Sequence, residues 1–331
     1  MVVPSLLAVA IAALMSALIT WISRPLLQRY ALARPNARSS HRIPTPQGAG
    51  IAVIAATLVV ASAWAAWVNV AIPPALVIAT VVIALVGFAD DVVSLPVLVR
   101  LVLQAACVGA VVVTAPDDAR IVPTLPLVLE RGLIVLAGIW YVNLVNFMDG
   151  LDLMTAAEVV PVTAALLLFG LLGELSWPAM LIATALCGAM LGFAPFNKPV
   201  AKVFLGDVGS LPIGLLLGWC LLELAWRGQP AAALLLPAYY LADSTITLFR
   251  RIARREPFWS AHRSHFYQGA TDNGFTVPRV VGEVFALNFL LGLLALGIIS
   301  AGSAAATSLA LLAGAIAIGF ILWRFSRHQG F

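Results

Sequence analysis

Long apolar runs, each close to the length of a membrane crossing, alternate with short polar breaks along almost the whole chain. A helix needs roughly 20 predominantly apolar residues to span the hydrocarbon core. Windows of that size fall at about 2–23, 48–68, 72–88, 97–115, 132–148, 154–173, 178–195, 209–225, 231–249, 281–300 and 303–323, which predicts eleven transmembrane helices. Ten is the alternative count, because the window starting at Gly209 is short and only Gly302 and Ser303 separate the last two. The first run lacks a basic leader and continues through Trp21 into a basic loop, the pattern of a retained span rather than a cleaved signal. The predicted fold class is therefore all-α: one polytopic transmembrane domain over residues 1–331, with polar loops at about 24–47, 89–96, 149–153, 196–208 and 250–280.

Composition agrees with this pattern. The chain has 331 residues, 62% of them hydrophobic and 10% charged, and its mean hydropathy is +1.02. A soluble domain is typically about half apolar and about a quarter charged. Three cysteines, Cys107, Cys187 and Cys220, lie in apolar runs without metal-ligand or CxxC spacing, which excludes a disulfide scaffold and cysteine-based cofactor chemistry. Net charge is only +4, so its distribution is more informative than its size. With the N-terminus outside, sixteen of the nineteen Lys and Arg residues fall on one side and only Arg120, Arg131 and Arg227 on the other. Retention of basic loops in the cytoplasm makes the Arg-rich side, and the C-terminus, cytoplasmic. Trp64, Trp67, Trp177 and Trp226 then fall at outer helix ends, as an aromatic belt or as ordinary filler.

The carboxylates also sit on the Arg-rich side. Asp90 and Asp91 end the third span, Asp149 and Asp152 follow the fifth, and Asp207 precedes the eighth. Acids at membrane depth tend to be functional. Five at one face, without His or Cys pairing, point to a hard cation held by one or two carboxylates together with substrate phosphates, most plausibly Mg²⁺. Their settings read Gly87-Phe-Ala-Asp-Asp91, Asn143-Leu-Val-Asn-Phe-Met-Asp-Gly-Leu-Asp152 and Asn197-Lys-Pro-Val-Ala-Lys-Val-Phe-Leu-Gly-Asp-Val-Gly-Ser210. Gly206 and Gly209 flank Asp207, which predicts close backbone approach to a ligand and free amides at the next helix N-terminus for an oxyanion. Lys202 adds a point charge for phosphate. Phe204 reads as either a lipid-facing residue or a platform for a base.

These segments, together with Ser39-Ser-His-Arg-Ile-Pro-Thr-Pro-Gln-Gly-Ala-Gly50 and Ala261-His-Arg-Ser-His-Phe-Tyr-Gln268, resemble the polyprenyl-phosphate N-acetylhexosamine-1-phosphate transferases over about residues 35–300. The His-Arg-Ser-His version looks most like the branch that initiates O-antigen synthesis, whereas phospho-MurNAc-pentapeptide translocase usually carries three consecutive histidines. The resemblance implies transfer of a sugar-1-phosphate from a UDP-N-acetylated sugar to undecaprenyl phosphate, with release of UMP and a need for Mg²⁺ or Mn²⁺. It implies that Asp90 is the base, with Asp91 beside it. Asp207 would bind the metal, and Asp149 and Asp152 are further metal candidates. Asn143, Asn146, Asp149, Asp152 and Asn197 would hold the nucleotide sugar, Phe204 would stack on uracil, and His262, Arg263 and His265 would contact the diphosphate or sugar. It also implies a bacterial inner-membrane enzyme, dimeric in its relatives, with no nucleic-acid partner. Three positions depart from the family pattern: Leu153 replaces a glycine, and Gln47 and Ala49 stand where many relatives have Arg and Gly.

Other residues have plainer readings. Arg250, Arg251, Arg254 and Arg255 anchor a helix at the anionic leaflet, and His41 is a loop histidine. Asp117, Asp118 and Glu130 read as ordinary outer-loop charges, and Asp243, inside the membrane, is functional or paired with a neighbour. The competing function is an ion-coupled transporter, which predicts mid-helix acids and duplicated halves; the acids here cluster at one interface, and the chain shows no repeat. The motifs of aromatic prenyltransferases and CDP-alcohol phosphotransferases do not occur.

Overall fold

The computed structural model describes residues 1–33, 44–257 and 262–329. They form α1 (Val2–Tyr30), the strands β1 (Leu32–Ala33) and β2 (Thr45–Pro46), α2 (Gly50–Trp67), α3 (Pro74–Val92), α4 (Val97–Val113), α5 (Leu127–Phe147), α6 (Met154–Leu171), α7 (Trp177–Asn197), α8 (Asp207–Trp226), α9 (Pro230–Leu235), α10 (Ala238–Ala253), α11 (Phe266–Asp272), α12 (Val277–Ala301) and α13 (Ala304–Phe325). Nine of the described helices are long and apolar enough to cross a membrane, and the 17-residue α4 is a shorter apolar helix. The all-α polytopic architecture read from the hydropathy pattern is present. The expected span at 231–249 is broken into α9 and α10, with Leu236 and Pro237 between them. Proline has no N–H to continue the ladder and clashes with the preceding turn.

The bundle is ordered by side-chain size. Central α7 and α8 have 78% and 83% of their apolar windows buried by other helices, against 22% for peripheral α1 and α13. Lipid is as apolar as leucine, so helices associate through close packing of small residues rather than by hiding apolar area. Helix α1 turns Ser5, Ala8, Ala12, Ser16 and Thr20 inward. On α7, Gly188 and Gly192 lie where an added Cβ would collide with the α1 backbone at Val9 and Ala13. Leu6, Leu14 and Leu18, on the other face of α1, are exposed to lipid.

Two expectations about the far end of the bundle need correction. Glu130 is buried on the first turn of α5, where its carboxylate accepts from the Ile121 and Val122 amides and pairs with Arg120. A buried charge needs such partners, so Glu130 pins the 114–126 loop. Trp64 is buried in the core, whereas Trp67 and Trp177 are exposed at helix ends and Trp226 carries the Arg131 guanidinium 5.2 Å from its ring centre.

Candidate active site

The ends of α3, α5 and α7 meet the starts of α4, α6 and α8 at one end of the bundle, which brings the acidic segments together. Asp90 closes α3, and the four-residue turn at 93–96 returns the chain so that Arg100 of α4 reaches it. The Arg100 guanidinium pairs with Asp90 and lies 3.4 Å from Asp207 Oδ2. Asp207 Oδ1 accepts from Asn146 Nδ2 at 2.7 Å, and the same Asn146 amide donates to Ser210 Oγ at 2.9 Å. Residues from α3, α4, α5 and α8 thus converge on one cation-bridged carboxylate pair. Arg100 had registered in the sequence only as part of the charge bias. Its signal was the short turn after Asp90, which places the first turn of α4 beside the last turn of α3.

Asp91 has a different task. Its Oδ1 accepts from the Asp207 amide at 2.9 Å and its Oδ2 from the Val208 amide at 3.1 Å, while the Gln47 side chain donates to Oδ1. The first amides of a helix lack intrahelical partners and carry partial positive charge. A carboxylate from α3 therefore caps α8. The expectation that these amides stay free for an oxyanion is overturned, because the protein's own carboxylate occupies them. Gly206 makes the contact feasible: its φ is +76°, and an added Cβ would strike Asp91. Gly209 likewise faces Gly50 of α2 rather than a ligand. Gln47, a departure from the family pattern, is thus built into the site.

The segment at 148–153 forms a second layer. Asp149 accepts from Thr155 Oγ1. Burial pushes its carboxyl up to about 7, an effect that Asp91 and Asp152 reinforce and the Thr155 bond opposes. Asp152 Oδ2 accepts from the Ala201 amide at 3.0 Å. Asn197 accepts from the Leu153 amide at 2.7 Å and donates to the Val203 carbonyl at 2.9 Å. Asp152 and Asn197 thus tie the 148–153 and 198–206 loops to each other, while Asp149 holds the start of α6. Leu153, in place of the family glycine, has φ +64°, so the chain keeps the left-handed turn with a side chain that disfavours it.

Phe204 lies on the second loop, its amide donating to the Pro46 carbonyl at 2.7 Å and its carbonyl accepting from Ala49 at 3.0 Å. Lys202 is exposed there. Asn143 is not brought to the acids: one turn before Asn146, its amide donates to Gln104 of α4 and to the Ile139 carbonyl. His262 and His265 stack with ring centres 5.0 Å apart, and Arg263 pairs with Asp272 at 3.1 Å. Tyr267 docks this segment on the 148–153 layer by donating to the Phe147 carbonyl at 2.9 Å. A side chain on Gly150 would collide with Tyr267 and Gln268. His41, the rest of the first-loop motif at 39–43, and Ala261 lie outside the described residues.

Among the described residues, no group of three or more His, Cys, Asp and Glu could hold a metal alone. A single carboxylate such as Asp207 would be the protein ligand of a hard cation that takes its remaining ligands from phosphates.

Comparison with known proteins follows the same segments. The family described as glycosyl transferase family 4 matches residues 73–225, which include Asp90, Asp91, Asn146, Asp149, Asp152 and Asp207. The decaprenyl-phosphate N-acetylglucosaminephosphotransferase of Mycobacterium tuberculosis (strain H37Rv) is 30% identical over 316 residues, covering 82% of this chain and 78% of the relative. The probable undecaprenyl-phosphate N-acetylglucosaminyl 1-phosphate transferase of Bacillus subtilis is 25% identical over 312 residues, covering 88% of this chain and 86% of that protein. A phospho-N-acetylmuramoyl-pentapeptide-transferase of Symbiobacterium thermophilum is 33% identical over 205 residues, covering 55% and 61%. With the acidic segments in family order on a multi-pass helical bundle, the chain belongs to glycosyl transferase family 4, the polyprenyl-phosphate N-acetylhexosamine-1-phosphate transferases.

Proposed function

We propose that this protein transfers a sugar-1-phosphate from a UDP-N-acetylated sugar to a polyprenyl phosphate, undecaprenyl phosphate in particular, as the first membrane step of an envelope polysaccharide such as O-antigen. The observation that carries this reading is the Asp90–Arg100–Asp207–Asn146 constellation, where four helices meet at one end of the bundle. An oxygen of the lipid phosphate attacks the sugar-bearing phosphorus, a new P–O bond forms, and the diphosphate P–O bond breaks to release UMP. In this reading Asp90 takes the proton of a monoprotonated lipid phosphate, whose second pKa lies near 6. Arg100 is placed to neutralise charge on the reacting phosphates. Asp207 would hold Mg²⁺, which supplies charge neutralisation on the diphosphate. Asp152 and Asn197 hold the two loops against which the nucleotide sugar would bind, Asp149 would add a contact to it, and Phe204 would offer a ring for its base.

An apolar cavity of about 400 Å³ between α4, α5, α8, α9 and α10, lined by Val108, Val111, Tyr141, Gly218, Leu222 and Leu241 among others, suits an isoprenoid chain. Purified protein with UDP-GlcNAc, undecaprenyl phosphate and Mg²⁺ should release UMP. Asp207→Asn should lower turnover by orders of magnitude while leaving the unfolding temperature near that of the parent. A lack of UMP release across a panel of UDP-N-acetylated sugars, or near-normal turnover in the variant, would overturn the assignment.

A further inference from the structure

Asp243, on α10, is fully buried yet surrounded by donors. Its Oδ1 accepts from the Phe266 amide at 3.0 Å and faces His265 Nδ1 at 3.2 Å and Thr247 Oγ1 at 3.4 Å. Its Oδ2 accepts from the Tyr267 amide at 3.1 Å and the Tyr239 hydroxyl at 3.2 Å. A carboxylate oxygen accepts, so the ring nitrogen that faces it carries a hydrogen, and Nε2 is the nitrogen of His265 left for a ligand. Which nitrogen of a histidine is protonated follows from the bond the other one makes.

His262 has the reverse arrangement. The Ser264 amide donates to its Nδ1 at 3.3 Å, which leaves the hydrogen on Nε2. Burial, with His265 and Arg251 adding to it, lowers the His262 pKa to about 4, so the ring is neutral near pH 7 and has a defined tautomer. The two rings stack at 5.0 Å with an interplanar angle of 25°.

We propose that Asp243 is a positioning residue that fixes His265 as the Nδ1–H tautomer, opposite to the Nε2–H tautomer of His262, so that the stacked pair offers a sugar diphosphate one hydrogen-bond donor and one acceptor. His262 Nε2–H suits a phosphate oxygen, and His265 Nε2 suits a sugar hydroxyl or acetamido N–H. The identity of that ligand rests on the proposed transfer reaction; the tautomers do not. The same carboxylate orders the start of α11, and through Tyr267 it couples the histidine pair to the Phe147 carbonyl and the 148–153 loop.

The test uses the full chain labelled with ¹⁵N-histidine, in which only four histidines contribute signals and His262→Gln and His265→Gln assign the pair. The expected spectrum shows His265 protonated on Nδ1 and His262 on Nε2. Asp243→Asn turns one acceptor into a donor, so it should shift His265 away from the Nδ1–H form. It should also lower kcat/KM for the UDP-sugar by about 10–100-fold, the scale seen when a partner that orients a histidine is lost, while leaving KM for polyprenyl phosphate unchanged. Asp243→Glu should restore the tautomer and part of the activity. The proposal is overturned if wild-type His265 is protonated on Nε2, or if Asp243→Asn keeps the tautomer and weakens both substrates alike, as a purely structural role predicts. If Asp243→Asn does not fold, the wild-type spectrum and Asp243→Glu decide. Failure of the wild type to turn over any UDP-sugar removes the transfer reading and leaves the spectra to judge the tautomers.

Discussion

Single residues decide how firmly the substrate loops are held, and Leu153 shows it. A left-handed backbone costs an ordinary side chain roughly 1–2 kcal/mol, and Asn197 holds Leu153 there by accepting from its amide. Leu153→Ala loses packing and keeps the strain, whereas Leu153→Gly loses the same packing and relieves it. Thermal unfolding in detergent should find the glycine variant more stable than the alanine variant by about 1 kcal/mol, the reverse of the order in a helix interior. If alanine is the more stable, the left-handed turn is wrong. The family pattern marks this position because a glycine is missing there, but only the backbone angle shows that Leu153 adopts a left-handed turn.

At the scale of elements, the decisive contact is between α3 and α8. Asp91 caps amides 116 residues away in sequence, so the motif that reads as one acidic pair contains two tasks. Asp90 pairs with Arg100; Asp91 holds the helix that presents Asp207. Loss of a capping side chain costs about 0.5–2 kcal/mol. Asp91→Ala should therefore lower unfolding stability by that amount as well as reduce turnover, while Asp90→Ala should affect turnover with a smaller stability change. Equal stability of Asp91→Ala and the parent would assign Asp91 to the chemistry alone. A second inter-element contact, Asn288 of α12 donating to the buried Glu158 of α6 at 2.7 Å, shows the same logic deeper in the bundle.

For the whole molecule, orientation sets which compartment supplies the sugar donor. The charge bias of the sequence puts sixteen of nineteen basic residues on the predicted cytoplasmic side with the acids, and the proposed reading needs its UDP-sugar from the cytosol. In a chain whose three native cysteines, all buried, are replaced, single cysteines at Lys202 and Arg254 should resist a membrane-impermeant maleimide in intact cells. Cysteines at Asp118 and Arg227 should label. Both members of each pair are exposed in the fold, so failure to label cannot be blamed on burial. Labelling of Lys202→Cys from outside would invert the molecule and remove the site from its donor.

Hydrophobic periodicity by itself determined the helical class and most span positions within a few residues, the span at 231–249 that breaks into α9 and α10 excepted, because span length follows from the bilayer's thickness. The motif segments determined the family. Tertiary structure alone decided the division of labour: Asp90 with Arg100 and Asp207, Asp91 as a cap, Asn143 turned to Gln104, Glu130 buried, and Asp243 beneath His265. Each of these pairings spans at least ten residues of sequence or joins separate helices. Residue type and local spacing show that a carboxylate has a partner to find, but which donor lies within about 3 Å of it is set by how the helices pack.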